Sequence, residues 1–367
     1  MKIIDGDGHV FEDNKGLQKY LPAEMQAKRL PDRWFPPLDH FHAFIGDTPP
    51  GSFRPVQTEG WLEFMEDVKI DSAVLYTTSG LAVGKIFHRD WAIALCKAYN
   101  NWLHEAYLSV SPRFKGMALI PMQDPEAAAE ELRRAVTELG FCGAMLASTG
   151  LPEHYGAKQY WPVWEEADKL GCALGVHGGA HSGMGFDHMN NYTPVGAMGH
   201  PMALLTQFAG VLFNGILDRY PNVKWGFMEG GVAWLLVALE RFDRAHETHL
   251  QWNPRGELSP APDVVVTDYI RKHVEAGRLY CGCEGDEPGI ALASKAVGSE
   301  MFVFSSDFPH EVNNDICKHE IEELLECDEL TQQDKENIMH GNAERFYGLS
   351  PASAKEAAAA ATAGARA

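Results

Sequence analysis

Along this chain, short and nearly continuous apolar runs alternate with longer stretches in which apolar residues recur every three or four positions. The runs are "KIIDGD" (2–7), "DSAVLYT" (71–77), "KGMALIPM" (115–122), "CGAMLAS" (142–148), "ALGVHGG" (173–179), "VKWGFMEGG" (223–231), "RLYCGC" (278–283) and "FVFSSDFPH" (302–310). Each is apolar on both faces, as a strand covered on both sides must be. Between them lie helical patterns such as "DWAIALCKAYNNWLHEAYLSV" (90–110), "WPVWEEADKLG" (161–171) and "WLLVALERFDRAHE" (234–247). In "DPEAAAEELRRAVTELG" (124–140), Asp124 is the expected N-cap and Pro125 the first helical residue.

About eight such β/α units suit a closed barrel better than an open sheet, so the expected fold is α/β, a (β/α)8 TIM-like barrel. After the first strand come roughly fifty residues rich in Pro, Asp and aromatics with no clear period, which is read as a long insertion passing over the barrel mouth. Residues 1–350 are expected to form one domain, followed by a low-complexity tail over 351–367.

Composition narrows the partners. The chain has 367 residues, 45% hydrophobic and 22% charged, in the range of soluble globular proteins. A formal net charge of -20 leaves no basic stripe for nucleic acid or an anionic membrane, so a small-molecule substrate is expected. No apolar run is read as bilayer-long, and the N-terminus lacks the basic-then-apolar pattern of a secretory signal, so the expected location is the cytoplasm. Seven scattered cysteines give no disulfide framework, and Cys281 and Cys283 are read as buried thiols.

In a barrel of parallel strands the active site forms at the C-terminal strand ends. Asp7 and His9 close the first run on one face, His177 ends the fifth, Glu229 the sixth and Asp307 the eighth, so all five are expected at one mouth. Carboxylates and imidazoles converging without thiolates suit Zn²⁺, Mn²⁺ or Fe²⁺ with positions left open for substrate.

These residues, with "VHGG", "EGGVAWLLVALERFD", "SSDFPH" and the closing "NAERFYGL", resemble the amidohydrolase superfamily, in the branch typified by aminocarboxymuconate-semialdehyde decarboxylase. The resemblance implies one divalent metal held by Asp7, His9, His177 and Asp307, with Asp7 standing where that branch carries His or Glu. It also marks two departures. Glu229 replaces a strand-six His thought to move protons, and "CGAMLAS" lacks the Lys that bridges two metals in dinuclear hydrolases. His200, expected to start a helix before strand six, and His310 could join Glu229 as a two-His-one-carboxylate set, with Asp307 or Asp5 as a bridge, which resembles the dinuclear oxygenases of the superfamily.

The favoured expectation is therefore an enzyme with two Fe and/or Mn ions that uses O₂ to hydroxylate a C–H bond of a small, carboxylated substrate. Glu229, Asp307 and His200 are its expected catalytic residues. The alternative is a one-metal (Zn or Mn) hydrolase or non-oxidative decarboxylase, and a non-catalytic barrel subunit is a third reading. A homo-oligomer or pairing with a paralogous subunit is expected. Arg54 and Arg89 are candidates for binding a substrate carboxylate, while His40 and His42 are read as pocket lining with Trp34, Phe35 and Phe44. His181 and His188 are read as solvated loop residues, and the acidic run near Glu322 as a solvated helix face.

Overall fold

The structure is a computed structural model that describes residues 1–28, 30, 33–38, 49–249 and 252–349. Eight strands, β1 (Ile4–Val10), β2 (Ser72–Thr77), β3 (Phe114–Leu119), β4 (Gly143–Ala147), β5 (Ala173–His177), β6 (Lys224–Met228), β7 (Leu279–Cys283) and β8 (Phe302–Phe304), form one sheet in chain order. Every adjacent pair from β1 to β8 is parallel. The sheet curls into a barrel, as the alternation of apolar runs and helical patterns leads one to expect. Closure uses the segment after β8: the Asp307 amide donates to the Asp7 carbonyl over 3.0 Å, and the His9 amide donates to the Phe308 carbonyl over 2.7 Å. The contacts that bring the sheet round also set Asp307 beside Asp7 and His9.

The glycines of "DGDGH" have a steric cause. A Cβ on Gly6 would lie 2.2 Å from Val303 Cγ1 of β8, and one on Gly8 would lie 2.4 Å from Trp61 Cη2 in the helix Thr58–Val68. β1 is thus pressed between β8 and that helix, where only a bare backbone fits. Burial along β1 is complete, so its carboxylates and imidazole sit in a desolvated layer.

Helix boundaries follow local chemistry. Asp124 caps the helix Pro125–Glu138 by accepting from the Ala127 amide over 3.1 Å, and Gly171 ends the helix Trp161–Leu170 in the left-handed region at φ 58°. The insertion carries the short helices Asn14–Gln18 and Ala23–Gln26. Trp34 and Phe35 are buried within it, and Trp34 packs edge-to-face on Trp91 with centroids 5.8 Å apart. His40, His42 and Phe44 lie outside the described residues, as does the segment 351–367.

Two expectations about the chain after β5 need correction. The helix carrying His200 spans Thr193–Phe213, so His200 lies well inside it, immediately before Pro201. Its 21 residues are also long and apolar enough, by length and composition, to cross a membrane. Its buried residues Leu204, Phe208, Val211 and Leu212 belong to the hydrophobic core, so tertiary packing accounts for its apolar length.

Candidate metal centre

Asp7, His9 and His177 bring one ligand-type atom each to within 4.8 Å of one another, and His9, Asp307 and His310 do the same. The strand ends therefore gather the four residues that the resemblance implies. His177 Nε2 lies 3.2 Å from Asp7 Oδ2, while His9 Nε2 lies 3.6 Å from Asp7 Oδ1 and 3.3 Å from Asp307 Oδ1.

Backbone carbonyls set the direction of both imidazoles. His9 Nδ1 is 2.8 Å from the Thr77 carbonyl oxygen and His177 Nδ1 is 2.9 Å from that of Gly178. A carbonyl only accepts, so in each ring Nδ1 carries a proton, and Nε2 is the nitrogen left to face the cluster. Asp7 Oδ1, His9 Nε2 and His177 Nε2 are all buried without a hydrogen-bond partner. Burial, reinforced by the neighbouring His310 and His177, holds His9 well below the usual histidine range and so keeps it uncharged. Burial also raises Asp7 above the usual carboxylate range. Three unpartnered polar atoms converging in a dry layer are costly unless a cation lies between them, and the donor set fits a divalent ion with nitrogen and oxygen ligands.

His310 differs from these two histidines. Its Nδ1 is 2.7 Å from Asp307 Oδ1 and its Nε2 is 3.0 Å from Thr78 Oγ1, so both ring nitrogens are engaged. The ring stacks on His9 with centroids 4.1 Å apart and packs between Phe11 and Phe53, at 6.0 and 6.1 Å. Burial presses its pKa down, but the charge of Asp307 and the hydrogen bond to it outweigh burial and hold the ring above its ordinary value.

Glu229 and His200 lie on another side of the cluster. Glu229 Oε2 is 3.1 Å from His177 Nδ1, the nitrogen that does not reach toward Asp7, and Glu229 Oε1 is 3.4 Å from His200 Nδ1. The expected set of His200, Glu229 and His310 is thus divided: two members meet behind His177, and the third is held by Asp307 and Thr78. Burial drives Glu229 well above the carboxylate range, with Asp307 and Asp7 adding to it. His200 is pushed down to about 3 by burial, with His181, His177 and His310 adding to it. Glu229 and Asp307 share one further feature, a left-handed backbone at φ 57° and 53°, which non-glycine residues adopt at a cost of about 1–3 kcal/mol. Both follow the ends of barrel strands, where such strain aims a side chain into the mouth.

Other expected participants are elsewhere. Asp5 does not bridge the cluster; its carboxylate accepts from the Ser306 amide (2.9 Å), the Ser306 hydroxyl (2.7 Å) and the Asp7 amide (3.2 Å), tying β1 to the segment after β8. Arg54 is exposed and donates to the Gly51 carbonyl over 2.9 Å, and the exposed Arg89 lies 3.5 Å from Asp124 Oδ2. Neither is drawn to the cluster. His181 is buried, its ring 4.8 Å from that of His200, whereas His188 is exposed. Cys281 and Cys283 are buried free thiols. The sequence reading missed Thr77 and Thr78, although both sit at the end of β2 and the strand-end rule could have found them. Phe53 left no signal within its aperiodic segment.

The profile of the amidohydrolase family matches residues 4–349, nearly the whole chain. The chain belongs to the amidohydrolase family. Among its relatives, the 2-amino-3-carboxymuconate-6-semialdehyde decarboxylase of Dictyostelium discoideum is 26% identical over 261 residues, covering 71% of this chain and 68% of the relative. A gamma-resorcylate decarboxylase of Polaromonas sp. (strain JS666) is 27% identical over 304 residues, covering 78% and 86%. Of solved structures, a dihydroxybenzoic acid decarboxylase from Polaromonas sp. JS666 with bound manganese and the inhibitor 2-nitroresorcinol superposes with a TM-score of 0.66 at 22% identity, covering 95% of this chain and 97% of that one. A 5-carboxyvanillate decarboxylase from Novosphingobium aromaticivorans, complexed with manganese and 4-hydroxy-3-methoxy-5-nitrobenzoic acid, gives 0.70 at 20% identity, covering 95% and 96%. This amidohydrolase-family chain is therefore similar to decarboxylases of that family, the branch its motifs resemble. The relatives lend no support to the expected oxygenase subgroup, and they favour the decarboxylase alternative.

Proposed function

We propose that this chain is a cytoplasmic, metal-dependent, non-oxidative decarboxylase of a small carboxylated aromatic substrate, with one divalent cation held by Asp7, His9, His177 and Asp307. The observation that carries this reading is the pair of unpartnered, buried Nε2 atoms of His9 and His177 facing Asp7, beside an Asp307–His310 pair whose imidazole is already committed to other partners. Support for manganese and for an aromatic acid comes from the relatives named above. The seven free cysteines accord with a reducing compartment.

A divalent cation in this cage supplies Lewis acidity toward the oxygens of a substrate carboxylate or its neighbouring hydroxyl. The chain supplies orientation and a proton. Loss of CO₂ breaks the bond between ring carbon and carboxylate and leaves the electron pair on carbon, which then takes up a proton; no oxidant enters the balance. His310, held above its ordinary pKa by Asp307, keeps a proton at Nδ1 beside the cage. Phe53 and Phe11 flank that ring and exclude water from it. Glu229 lies 3.1 Å behind His177 Nδ1, where it supports the ring that the Gly178 carbonyl orients. His200, kept neutral by burial, packs against Glu229.

The test is anaerobic CO₂ release from a panel of hydroxybenzoates and carboxyvanillate with manganese-loaded protein. Release that a chelator abolishes and manganese restores supports the reading. Turnover of the same panel only with O₂ uptake would overturn it.

A further inference from the structure

Glu284, Asp286 and Glu320 bring three carboxylate oxygens to within 4.8 Å of one another. The group shares no residue with either histidine-containing cluster. Glu284 and Asp286 follow directly on β7, and Glu320 lies on the helix Asn314–Glu326, which follows the segment bearing Asp307 and His310. The two segments are in tight contact, since a Cβ on Gly285 would lie 1.9 Å from the Glu320 carbonyl oxygen.

Clusters of acids are common on protein surfaces, but this one has an unusual member. Glu320 is 5% exposed, and its buried Oε2 has no hydrogen-bond partner. Among the described residues, no Lys, Arg or His pairs with Glu284, Asp286 or Glu320. After burial, the charges that act most on Glu320 are all acids: Glu284, Asp286, Asp307 and Asp5. Burial and neighbouring acids hold Glu320 and Glu284 up at about 8, and a cation among the three side chains would relieve the repulsion that keeps them protonated.

We infer that Glu284, Asp286 and Glu320 form a second cation site, for a hard, oxygen-liganded divalent ion of the Ca²⁺ type, which pins the segment after β7 to the helix after β8. An all-oxygen set selects hard cations over the softer metals that imidazoles favour. Ca²⁺ accepts six to eight oxygen ligands in flexible geometry, whereas Mg²⁺ demands near-ideal octahedral geometry, so carboxylates from a loop and a separate helix suit Ca²⁺ better. Exposed Asp286 leaves one side of the site open to water ligands. The inference does not depend on which reaction the histidine cage performs.

The experiment is calorimetric titration of manganese-loaded protein with CaCl₂, with manganese content measured before and after and thermal midpoints recorded with and without Ca²⁺. The expected result is one Ca²⁺ bound per chain, a raised midpoint, unchanged manganese content, and at least tenfold weaker Ca²⁺ binding in Glu320→Gln. Asp286→Asn changes an exposed residue and provides the same reading should Glu320→Gln fail to fold. No Ca²⁺ binding at millimolar concentration, binding equally tight in Asp286→Asn, or uptake that only displaces manganese would each overturn the inference.

Discussion

The Nδ1 of His9 donates to the carbonyl oxygen of Thr77 over 2.8 Å, a bond from the end of β1 to the end of the neighbouring strand. Because the acceptor is backbone, the tautomer of His9 is fixed by the barrel register and not by any side chain that could be exchanged. The Gly178 carbonyl does the same for His177. Two imidazoles therefore reach the centre already oriented as ligands would need to be, with their proton-bearing nitrogens turned away.

Glu229 touches the far nitrogen of His177, so its removal should loosen the cage without dismantling it. Glu229→Gln is expected to weaken Mn²⁺ binding by about 10–100-fold while one ion per chain still binds at saturation. Manganese titration followed by electron paramagnetic resonance measures this; unaltered affinity would show that Glu229 has no part in supporting His177.

His310 is expected to matter for turnover and not for metal content. His310→Gln removes the proton held against Asp307 and should lower kcat by about 10²–10⁴-fold, the range for loss of a general acid, with manganese retained. Thr78→Val deletes only the hydrogen bond to Nε2, a loss of about 1 kcal/mol, and should cost roughly fivefold. Steady-state kinetics alongside metal analysis separates the two effects, and loss of metal in His310→Gln would make that residue a ligand.

Asp5 is a clasp in this structure. Asp5→Asn replaces one of the two oxygens that accept from the Ser306 amide and hydroxyl with an NH₂ donor and should destabilise the fold by about 1–3 kcal/mol, while the cage keeps its metal. Chemical denaturation gives the stability. Metal loss without destabilisation would restore Asp5 to the cluster.

His273, buried against Tyr269 and 3.8 Å from Asp218, lies far from this chemistry in the chain and makes a pH prediction. Burial and the nearby Arg278 push it down to about 4 from an ordinary 6.5, so the native ring stays neutral while the unfolded chain takes up a proton. Stability is therefore fully present above about pH 6.5 and falls as pH drops toward about 4, by on the order of 2–3 kcal/mol from this group. Stability curves of wild type and His273→Gln should differ in slope across that window, and parallel curves would contradict it.

The fold and the meeting of the strand-end residues were legible because both follow from periodicity. Apolar runs marked all eight strands, and strand ends marked Asp7, His9, His177, Glu229 and Asp307. What sequence spacing does not contain is the orientation of a side chain about its own ring. His310 has the right chemistry for a ligand, but Asp307 and Thr78 take both its nitrogens, and that depends on the path of the chain after β8. His200 looked like a helix start because Pro201 follows it; in the structure, the helix passes through Pro201 and carries His200 against Glu229. The oxygenase expectation rested on those two histidines acting together with Glu229; His200 lies against Glu229, whereas His310 is taken up by Asp307 and Thr78.

The central claim is a single transition-metal cage, and counting ions tests it most directly. Protein made with manganese and iron supplied, purified without oxygen and washed with Ca²⁺ to fill the acidic site, should be analysed by elemental mass spectrometry. About one transition metal per chain is expected in wild type and His200→Ala, and almost none in His9→Ala. Two per chain in wild type, falling to one in His200→Ala, would contradict the account.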